Sequence, residues 1–301
     1  MMNRRQFGCA TAAALGGALP LAARAQGLDM ARVLSGFPPG GTIDVLARRV
    51  ADKLRGNYAA SVVVENKPGA AGQIGVITLK DANPDGSSML LTPSSMLSIY
   101  PFTYPRLQYK LEDVSPVSVG AYINHGIAVG PAVPESAKTL KDFLAWARAN
   151  PEKANFGSPG AGSMPHLIGV LLNKFAGVEL RHIPYRGTVP GVQDLLGGQI
   201  SSFCGPIGDY IPYVKAGKLR VLAISGKGRS AFLPGKAKAE TVRRASAYLQ
   251  PALAQPDLVE YGKQFGLEIQ SSTAPQLAEL LQADAEEWRR LIKQVGFTAE
   301  S

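Results

Sequence analysis

Residues 37–54 read FPPGGTIDVLARRVADKL, and this run joins a loop rich in proline and glycine to a helical pattern. From Ile43 to Leu54 the apolar residues recur at helical spacing, which predicts an amphipathic helix with one buried face. Residues 62–64 are all valine, and a short β-branched run of this kind is typical of a buried strand. A helix that leads into a buried strand in this way is part of a βαβ unit, the building block of a parallel sheet.

The same alternation continues along the chain. Short apolar runs that predict strands are separated by segments with helical periodicity. The predicted strands are residues 62–64, 89–91, 126–129 and 219–224, and the further predicted helices are 139–150 and about 275–295. Strands that alternate with helices of this length predict the α/β class, with mainly parallel sheets flanked by helices on both faces.

The composition indicates a large folded core. Of the 301 residues 46% are hydrophobic and 18% charged, which excludes a disordered chain, a collagen-like repeat and a disulfide-stapled miniprotein. The formal net charge is +9, from 32 Lys and Arg against 23 Asp and Glu. The arginine pairs at 48/49, 243/244 and 289/290 are interspersed with acidic residues on predicted helices. We therefore interpret the charge as solvated helix faces and expect no nucleic-acid partner.

The first 25 residues have the pattern of an export signal. Arg4 and Arg5 precede a small, apolar run over residues 8–23, and the A-x-A rule places cleavage after Ala25. The Arg-Arg-x-Phe start resembles a twin-arginine signal, and Sec export is the other route left open. Cleavage removes 25 residues and three positive charges, which leaves 276 residues with a net charge of +6. We expect a soluble, exported protein in the periplasm.

Catalytic and metal-binding signatures are absent from the sequence. It contains no H-E-x-x-H, C-x-x-C, G-x-S-x-G, Walker or Rossmann motif. Cys204 is the one cysteine after the predicted cleavage point, so we expect no disulfide and no thiol-based metal site. The three histidines, at 125, 166 and 182, lack metal-ligand spacing, and we expect no metal and no cofactor. Ser163 and His166 have the spacing of a nucleophile and its base, but no third residue is nominated to orient them. We expect no enzymatic activity, with a Ser/His hydrolase as the alternative.

A second glycine-rich loop makes an anion-binding cleft the favoured hypothesis. Residues 156–163 read FGSPGAGS and lead into a predicted helix, as the loop before Ile43 does. A helix N-terminus offers unpaired amides and a partial positive charge, and glycines let a ligand approach the backbone. Either loop alone is better explained as an ordinary strand-to-helix turn capped by Thr42 or Ser163. Two such loops predict a cleft with one anion-binding loop from each of two lobes.

Several motifs in this order resemble one known family. The opening FPPGGTIDVLAR and the run VVVENKPGAAGQIG at residues 62–75 look like the start of the tripartite tricarboxylate transporter receptors, the Bug-type periplasmic binding proteins. The resemblance continues through NPDG at 83–86, GSPGAGSMPH at 157–166, PYRG at 184–187 and KAGKLR at 215–220. It covers residues 31–230 continuously and resumes near Lys236.

The resemblance implies a two-lobed, type II flytrap fold that closes on a small mono-, di- or tricarboxylate. It also implies a membrane partner, either transporter subunits or a sensor protein, and a monomeric receptor. The family pattern places the ligand site at residues of the two loops and at two positions that follow strands. These residues are Pro39, Gly40, Gly41, Thr42, Ser94, Ser158, Gly162, Ser163, His166 and Gly205.

This chain departs from the family pattern at two places. Many relatives carry an acidic residue where this chain has Gly205, and Asp209 replaces it only if the following loop bends back. About thirty residues of the family pattern are also missing near 230–236, where relatives form part of the crossing between lobes. We assign residues 26–124 and 235–301 to lobe 1 and 125–234 to lobe 2. The short junction leaves two possibilities, one hinge strand fewer or a non-binding remnant with impaired closure.

Overall fold

A computed structural model describes residues 28–225, 229–264 and 266–299, and of residues 229–233 it describes the backbone alone. The predicted export signal lies outside the described residues. The strands are β1 (Leu28–Ser35), β2 (Ala59–Asn66), β3 (Ser88–Pro93), β4 (Val114–Ile123), β5 (His125–Val129), β6 (Asn155–Ser158), β7 (Arg181–Pro184), β8 (Ser202–Pro206), β9 (Arg220–Ser225), β10 (Arg229–Pro234) and β11 (Leu267–Ile269).

The helices alternate with these strands, which confirms the predicted α/β class. They are α1 (Thr42–Leu54), α2 (Gln73–Lys80), α3 (Ser95–Ser98), α4 (Tyr100–Thr103), α5 (Leu140–Ala149), α6 (Met164–Ala176), α7 (Thr188–Leu196), α8 (Ile211–Lys215), α9 (Ala239–Leu253), α10 (Pro256–Gln264) and α11 (Ala274–Val295). The three helices predicted from periodicity correspond to α1, α5 and α11, and each predicted end lies within about one residue of the observed one. Among the described residues, no helix is both long enough and apolar enough to span a membrane.

The first sheet has six strands in the order β11-β4-β10-β3-β1-β2. β1 is parallel to β2 and to β3, with Val33 opposite Val64 on one side and Met89 on the other. β10 is antiparallel to both β3 and β4, and β11 is antiparallel to β4. Strands β1 to β4 therefore run in one direction, and β10 and β11 run against them.

The second sheet has five strands in the order β7-β6-β8-β5-β9. β6 is parallel to β7 and β8, whereas β5 is antiparallel to β8 and β9, so β5 alone opposes the other four. The chain crosses between the sheets at Asn124 and again between Ser225 and Arg229. β5 is the first strand after the first crossing, and it lies between β8 and β9 of the second sheet. β10 is the first strand after the second crossing, and it lies between β3 and β4 of the first sheet.

The second crossing lies earlier than the predicted boundary at residues 234–235. The predicted boundary places residues 229–234 in lobe 2, but they form β10 in the first sheet. The backbone of Ala231 lies opposite Leu91 of β3 and Ser118 of β4. These partners are more than 100 residues away in sequence, so the local pattern at 229–234 could not indicate which sheet the strand joins. The short junction thus contains a strand.

Each sheet is covered on both faces by apolar side chains. Val33 and Leu34 are neighbours on β1 and point to opposite faces, as pleating requires. Val33 packs in the core formed with α1 and α9, and Leu34 packs in the core formed with α2 and α11. In the second sheet Phe156 faces α5 and α6, whereas Phe203 faces α7. Burial of one such side chain stabilises the fold by about 1.5–3 kcal/mol.

Candidate functional site

A cavity of about 310 Å³ lies between the two sheets and is lined from both of them. Three helices direct their N-termini towards it, α1 through Thr42, α6 through Ser163 and α7 through Thr188. The first amides of a helix lack intrahelical acceptors and carry the positive end of its dipole. Three convergent N-termini therefore offer amide donors to an anion, in a lining that also holds the carboxylates of Asp209 and Glu287.

Asp44 shapes the loop before α1. Gly40 has φ +89°, a left-handed conformation that strains L side chains. Its amide donates to Asp44 Oδ2 at 2.9 Å, and the same carboxylate accepts from Arg48 Nε at 2.9 Å and Asn66 Nδ2 at 2.8 Å. Burial opposes ionisation of Asp44, but hydrogen bonds from Arg48, the Gly40 amide and Asn66 outweigh it and lower the pKa of the carboxyl. A charged, buried carboxylate thus holds the loop in place.

Thr42 is bonded to the opposite lobe. Asp209 Oδ1 accepts from the Thr42 amide at 3.0 Å and from Thr42 Oγ1 at 2.6 Å. Asp209 ends a single 3₁₀ turn, Ile207–Asp209, between β8 and α8, so this loop does bend back towards α1. The amides of Gly41 and Ile43 donate to no acceptor among the described residues.

The second loop is held by its own polar groups. Ser163 Oγ donates to the Gly160 carbonyl at 2.6 Å, and the Gly162 amide donates to His166 Nδ1 at 2.9 Å. The loop also touches the first lobe, because Tyr104 Oη donates to the Ala161 carbonyl at 2.7 Å. Within the described part of the chain no hydrogen bond joins Ser163 to His166. Each of the two side chains is instead used to shape the loop.

Two histidines are stacked behind this loop. The rings of His166 and His182 are 3.5 Å apart between centroids, and Ser158 Oγ lies 2.8 Å from His182 Nε2. Burial, reinforced by the charge of the neighbouring imidazole, lowers the pKa of His166 to about 3. Burial lowers the pKa of His182 to about 4, so both rings are neutral at pH 7. Ser158 is fully buried, which keeps this Ser-His pair away from any solute.

The structure brings four of the ten predicted residues together at the cavity wall, namely Gly41, Thr42, Ser94 and Ser163. Gly40 lies on an adjoining depression, and the other five lie outside the lining: Pro39, Ser158, Gly162, His166 and Gly205. Gly205 is enclosed, because a Cβ there would lie 2.8 Å from the Phe203 ring and 2.9 Å from Tyr210 Oη. An acidic side chain at 205 has no room, and the carboxylate at this edge of the cavity is that of Asp209.

Sequence reasoning missed the contributions of β5, α7 and α11. His125 begins β5 directly after the first crossing, and Thr188 begins α7 after the quoted PYRG motif. Glu287 and Trp288 reach the cavity from α11. The glycine at position 187, before a run with helical spacing, could have indicated a third helix N-terminus. Nothing local could have indicated α11, since its stripe reads as a core-facing helix.

Comparisons with known proteins agree with the resemblance. Residues 46–242 match the model of the tripartite tricarboxylate transporter family receptor. A UPF0065 protein of Pseudomonas sp. (strain P51) is 31% identical over 289 aligned positions, covering 87% of this chain and 85% of the relative. The alignment has 289 positions, which is more than the number of residues in 87% of this chain. The relative therefore has residues that this chain lacks.

Solved structures show the same architecture. The periplasmic binding protein BugD is similar with a TM-score of 0.82 and 26% identity, covering 89% of this chain and 98% of that chain. An R. palustris protein solved with adipate shares the fold with a TM-score of 0.83 at 22% identity and the same coverage. Two-lobed periplasmic binding proteins are thus the structural neighbours of this chain.

Proposed function

The chain belongs to the tripartite tricarboxylate transporter receptor family, and from this premise we propose that it captures a small carboxylate between its two lobes. Membership makes it a periplasmic solute-binding receptor, and the proposal adds the class of solute. The receptor acts as a monomer and presents the solute to membrane transporter subunits or to a sensor protein.

The observation that carries this proposal is the convergence of helix N-termini from both lobes on one cavity. The amides at the start of α1, from Gly41 to Ile43, are the donors on that side, and α6 and α7 supply the positive ends of two further dipoles. A volume of about 310 Å³ is at the small end of ligand pockets, which favours a small organic acid. The R. palustris protein of the same fold, solved with adipate, supports the solute class.

The proposed roles of the predicted residues fall into two groups. Gly41, Thr42, Ser94 and Ser163 contact the solute, because they line the cavity. The others hold the loops from behind. They are Pro39 and Gly40 in the first loop, Ser158, Gly162 and His166 around the second loop, and Gly205 under the Asp209 turn.

Catalysis is not part of the proposal. A hydrolase would need the Ser163 hydroxyl and the His166 imidazole to meet, and they are bonded to Gly160 and Gly162 instead. Ser163→Ala tests the hydrolase alternative, since a receptor loses at most affinity whereas an esterase loses its turnover of a chromogenic ester. Ester turnover by the wild type that disappears in Ser163→Ala would overturn the receptor assignment.

The solute class is tested by titrating the protein with acetate, succinate and citrate in thermal-shift and calorimetric measurements. Any bound solute raises the apparent stability by mass action. We expect at least one of these carboxylates to bind, and choline, which has a positive charge and no carboxylate, serves as a cationic comparison. A well-folded sample that responds to no carboxylate would favour the non-binding remnant.

The first loop is tested by Gly40→Val, with Gly217→Val as the matched control. Both glycines have positive φ, +89° and +69°, and a Cβ at either meets nothing within 4 Å. Both substitutions therefore cost a similar backbone strain, about 1–2 kcal/mol. We expect only Gly40→Val to weaken carboxylate binding, by tenfold or more, because it displaces the Gly41 and Thr42 amides. Equal affinity in the two variants would remove the first loop from the site.

A further inference from the structure

The structure points to Asp209 as a built-in occupant of the anion-binding end of α1, and this inference rests on the proposed function. We propose that a solute carboxylate reaches the Thr42 amide by displacing the Asp209 carboxylate. Until it does so, the bond between Asp209 and Thr42 links the two lobes at this edge of the cavity. Asp209 then sets both the affinity for carboxylates and the resting position of the lobes.

The geometry of the contact is that of a carboxylate bound at a helix N-terminus. One oxygen, Asp209 Oδ1, accepts from the Thr42 amide at 3.0 Å and from its hydroxyl at 2.6 Å. Hydrogen bonds to an ionised acceptor are about twice as strong as those between neutral groups. Thr42 is buried, with 7% exposure, so water competes weakly for these donors. A solute carboxylate would need the same two donors.

The local sequence of α1 explains why a carboxylate from elsewhere is accepted here. The N-cap residue is Gly41, which has no side chain to bond the first amides. By contrast α5 and α11, which begin away from this loop, are capped by Thr139 and Thr273 within complete capping boxes. α1 is thus left without a cap of its own, and Asp209 supplies one across 167 residues of sequence.

The contact also joins the two lobes. Thr42 lies on the first helix of lobe 1, and Asp209 lies in the turn after β8 of the second sheet. Any motion that separates the lobes at this edge must break both hydrogen bonds. A solute carboxylate that displaces Asp209 takes over its hydrogen bonds to Thr42. The lobes are then linked through the bound solute and no longer through Asp209.

The affinity arm of the test compares Asp209→Asn with Asp194→Asn. Asn keeps the shape and an acceptor oxygen but removes the competing charge. Asp194 is a matched control, because its carboxylate accepts from Tyr185 Oη at 2.7 Å within the same lobe. We expect Asp209→Asn to bind succinate or another responding carboxylate at least tenfold more tightly in calorimetry, with Asp194→Asn unchanged. Weaker or unchanged binding by Asp209→Asn would overturn the competition.

The distance arm needs no solute. Asp52 on α1 and Lys215 on α8 are both exposed. Spin labels on Asp52→Cys and Lys215→Cys in the same chain report the distance between the lobes by double electron–electron resonance. Cys9→Ser removes the thiol in the predicted signal, and Cys204 is buried. We expect Asp209→Asn and Thr42→Val to lengthen or broaden the distance distribution, and Asp194→Asn to leave it unchanged. Identical distributions in Asp209→Asn and wild type would overturn the bridge.

The two arms also separate this inference from the proposed function. If no carboxylate binds any variant but Asp209→Asn separates the lobes, the bridge stands and the solute class is wrong. If carboxylates bind wild type and Asp209→Asn equally well, with equal distances, the solute class stands and the role of Asp209 is wrong.

Discussion

At the scale of single residues, two carboxylates serve the first loop in opposite ways. Asp44 lies within the lobe and fixes the loop through Gly40, Arg48 and Asn66. Asp209 comes from the other lobe and bonds the first amide of the helix that the loop begins. The hydrogen bonds of Asp44 give the loop its shape whether or not a solute is bound. Asp209 instead accepts from the Thr42 amide, one of the donors that the loop directs towards the cavity.

The stacked histidines predict a pH dependence of stability. His166 and His182 have pKa values of about 3 and about 4 in the folded chain, below the unfolded value of about 6.5. Between these values the unfolded chain binds more protons, so protonation favours unfolding. The stabilisation is complete above about pH 6.5 and is lost as the pH falls, by up to about 1.4 kcal/mol per pH unit for each histidine.

Urea denaturation between pH 7 and pH 4.5 measures this slope above the range in which most carboxylates titrate. His166→Phe keeps an aromatic ring against His182 and Phe297 but removes one titrating group. We expect a lower stability at pH 7, from the lost acceptor of Gly162, and a shallower decline towards pH 4.5. A decline as steep as in wild type would show that His166 is not buried as the structure has it.

Ala71 predicts a stabilising substitution. Its backbone has φ 55° and ψ 34°, a left-handed conformation that costs an L residue about 1–2 kcal/mol. Ala71→Gly removes this strain at the expense of a more flexible unfolded chain, so we expect a net gain of about 0.5–1 kcal/mol. Ala283→Gly, on an exposed turn of α11, is the control and should lose about 0.5–1 kcal/mol. Equal losses in the two variants would contradict the conformation at Ala71.

At the scale of elements, β10 is the strand on which the short junction depends. It pairs with β3 on one side and β4 on the other, and the chain leaves it at Gly235. The Gly235 amide donates to the Asp113 carbonyl at 2.7 Å. A Cβ at 235 would lie 2.0 Å from the Glu112 carbonyl oxygen, which is backbone and cannot rotate away. The exit from β10 therefore needs a glycine.

Gly235→Ala is expected to destabilise the chain by about 2 kcal/mol or more, because β10 must shift out of register to relieve the overlap. Gly197→Ala is the matched control, since its nearest neighbour to a Cβ would lie at an ordinary 3.4 Å. Chemical denaturation of both variants measures the difference. A Gly235→Ala protein as stable as Gly197→Ala would mean that β10 does not end against Glu112.

Local elements were predictable from the sequence, and their pairing was not. Periodicity identified α1, α5 and α11 because each signal lies within one helix. The two glycine-rich loops were found for the same reason. The sheet to which β10 belongs, the α11 side chains in the cavity and the bond from Thr42 to Asp209 depend on contacts more than 100 residues apart. Such contacts leave no periodic signal in a single sequence.

At the scale of the whole molecule, the lobes are joined by more than the two crossings. The segment after α11 passes from one lobe to the other and back. Phe297 packs edge-on against His166 of the second lobe, with centroids 4.9 Å apart. Two residues later, the Ala299 amide donates to the Thr103 carbonyl of the first lobe at 2.8 Å. The segment therefore packs against the second loop through Phe297 and is held on the first lobe through Ala299.

Phe297→Ala should loosen the second loop, because it removes the ring that holds His166, and His166 in turn accepts from the Gly162 amide. We expect a loss of stability of about 2 kcal/mol and faster amide exchange over residues 160–166, measured by hydrogen–deuterium exchange. Phe175→Ala is the control, since that ring is 69% exposed on α6 and should change neither quantity. If exchange over residues 160–166 stays at the wild-type rate in Phe297→Ala, the loop is held by its own hydrogen bonds and not by the segment after α11.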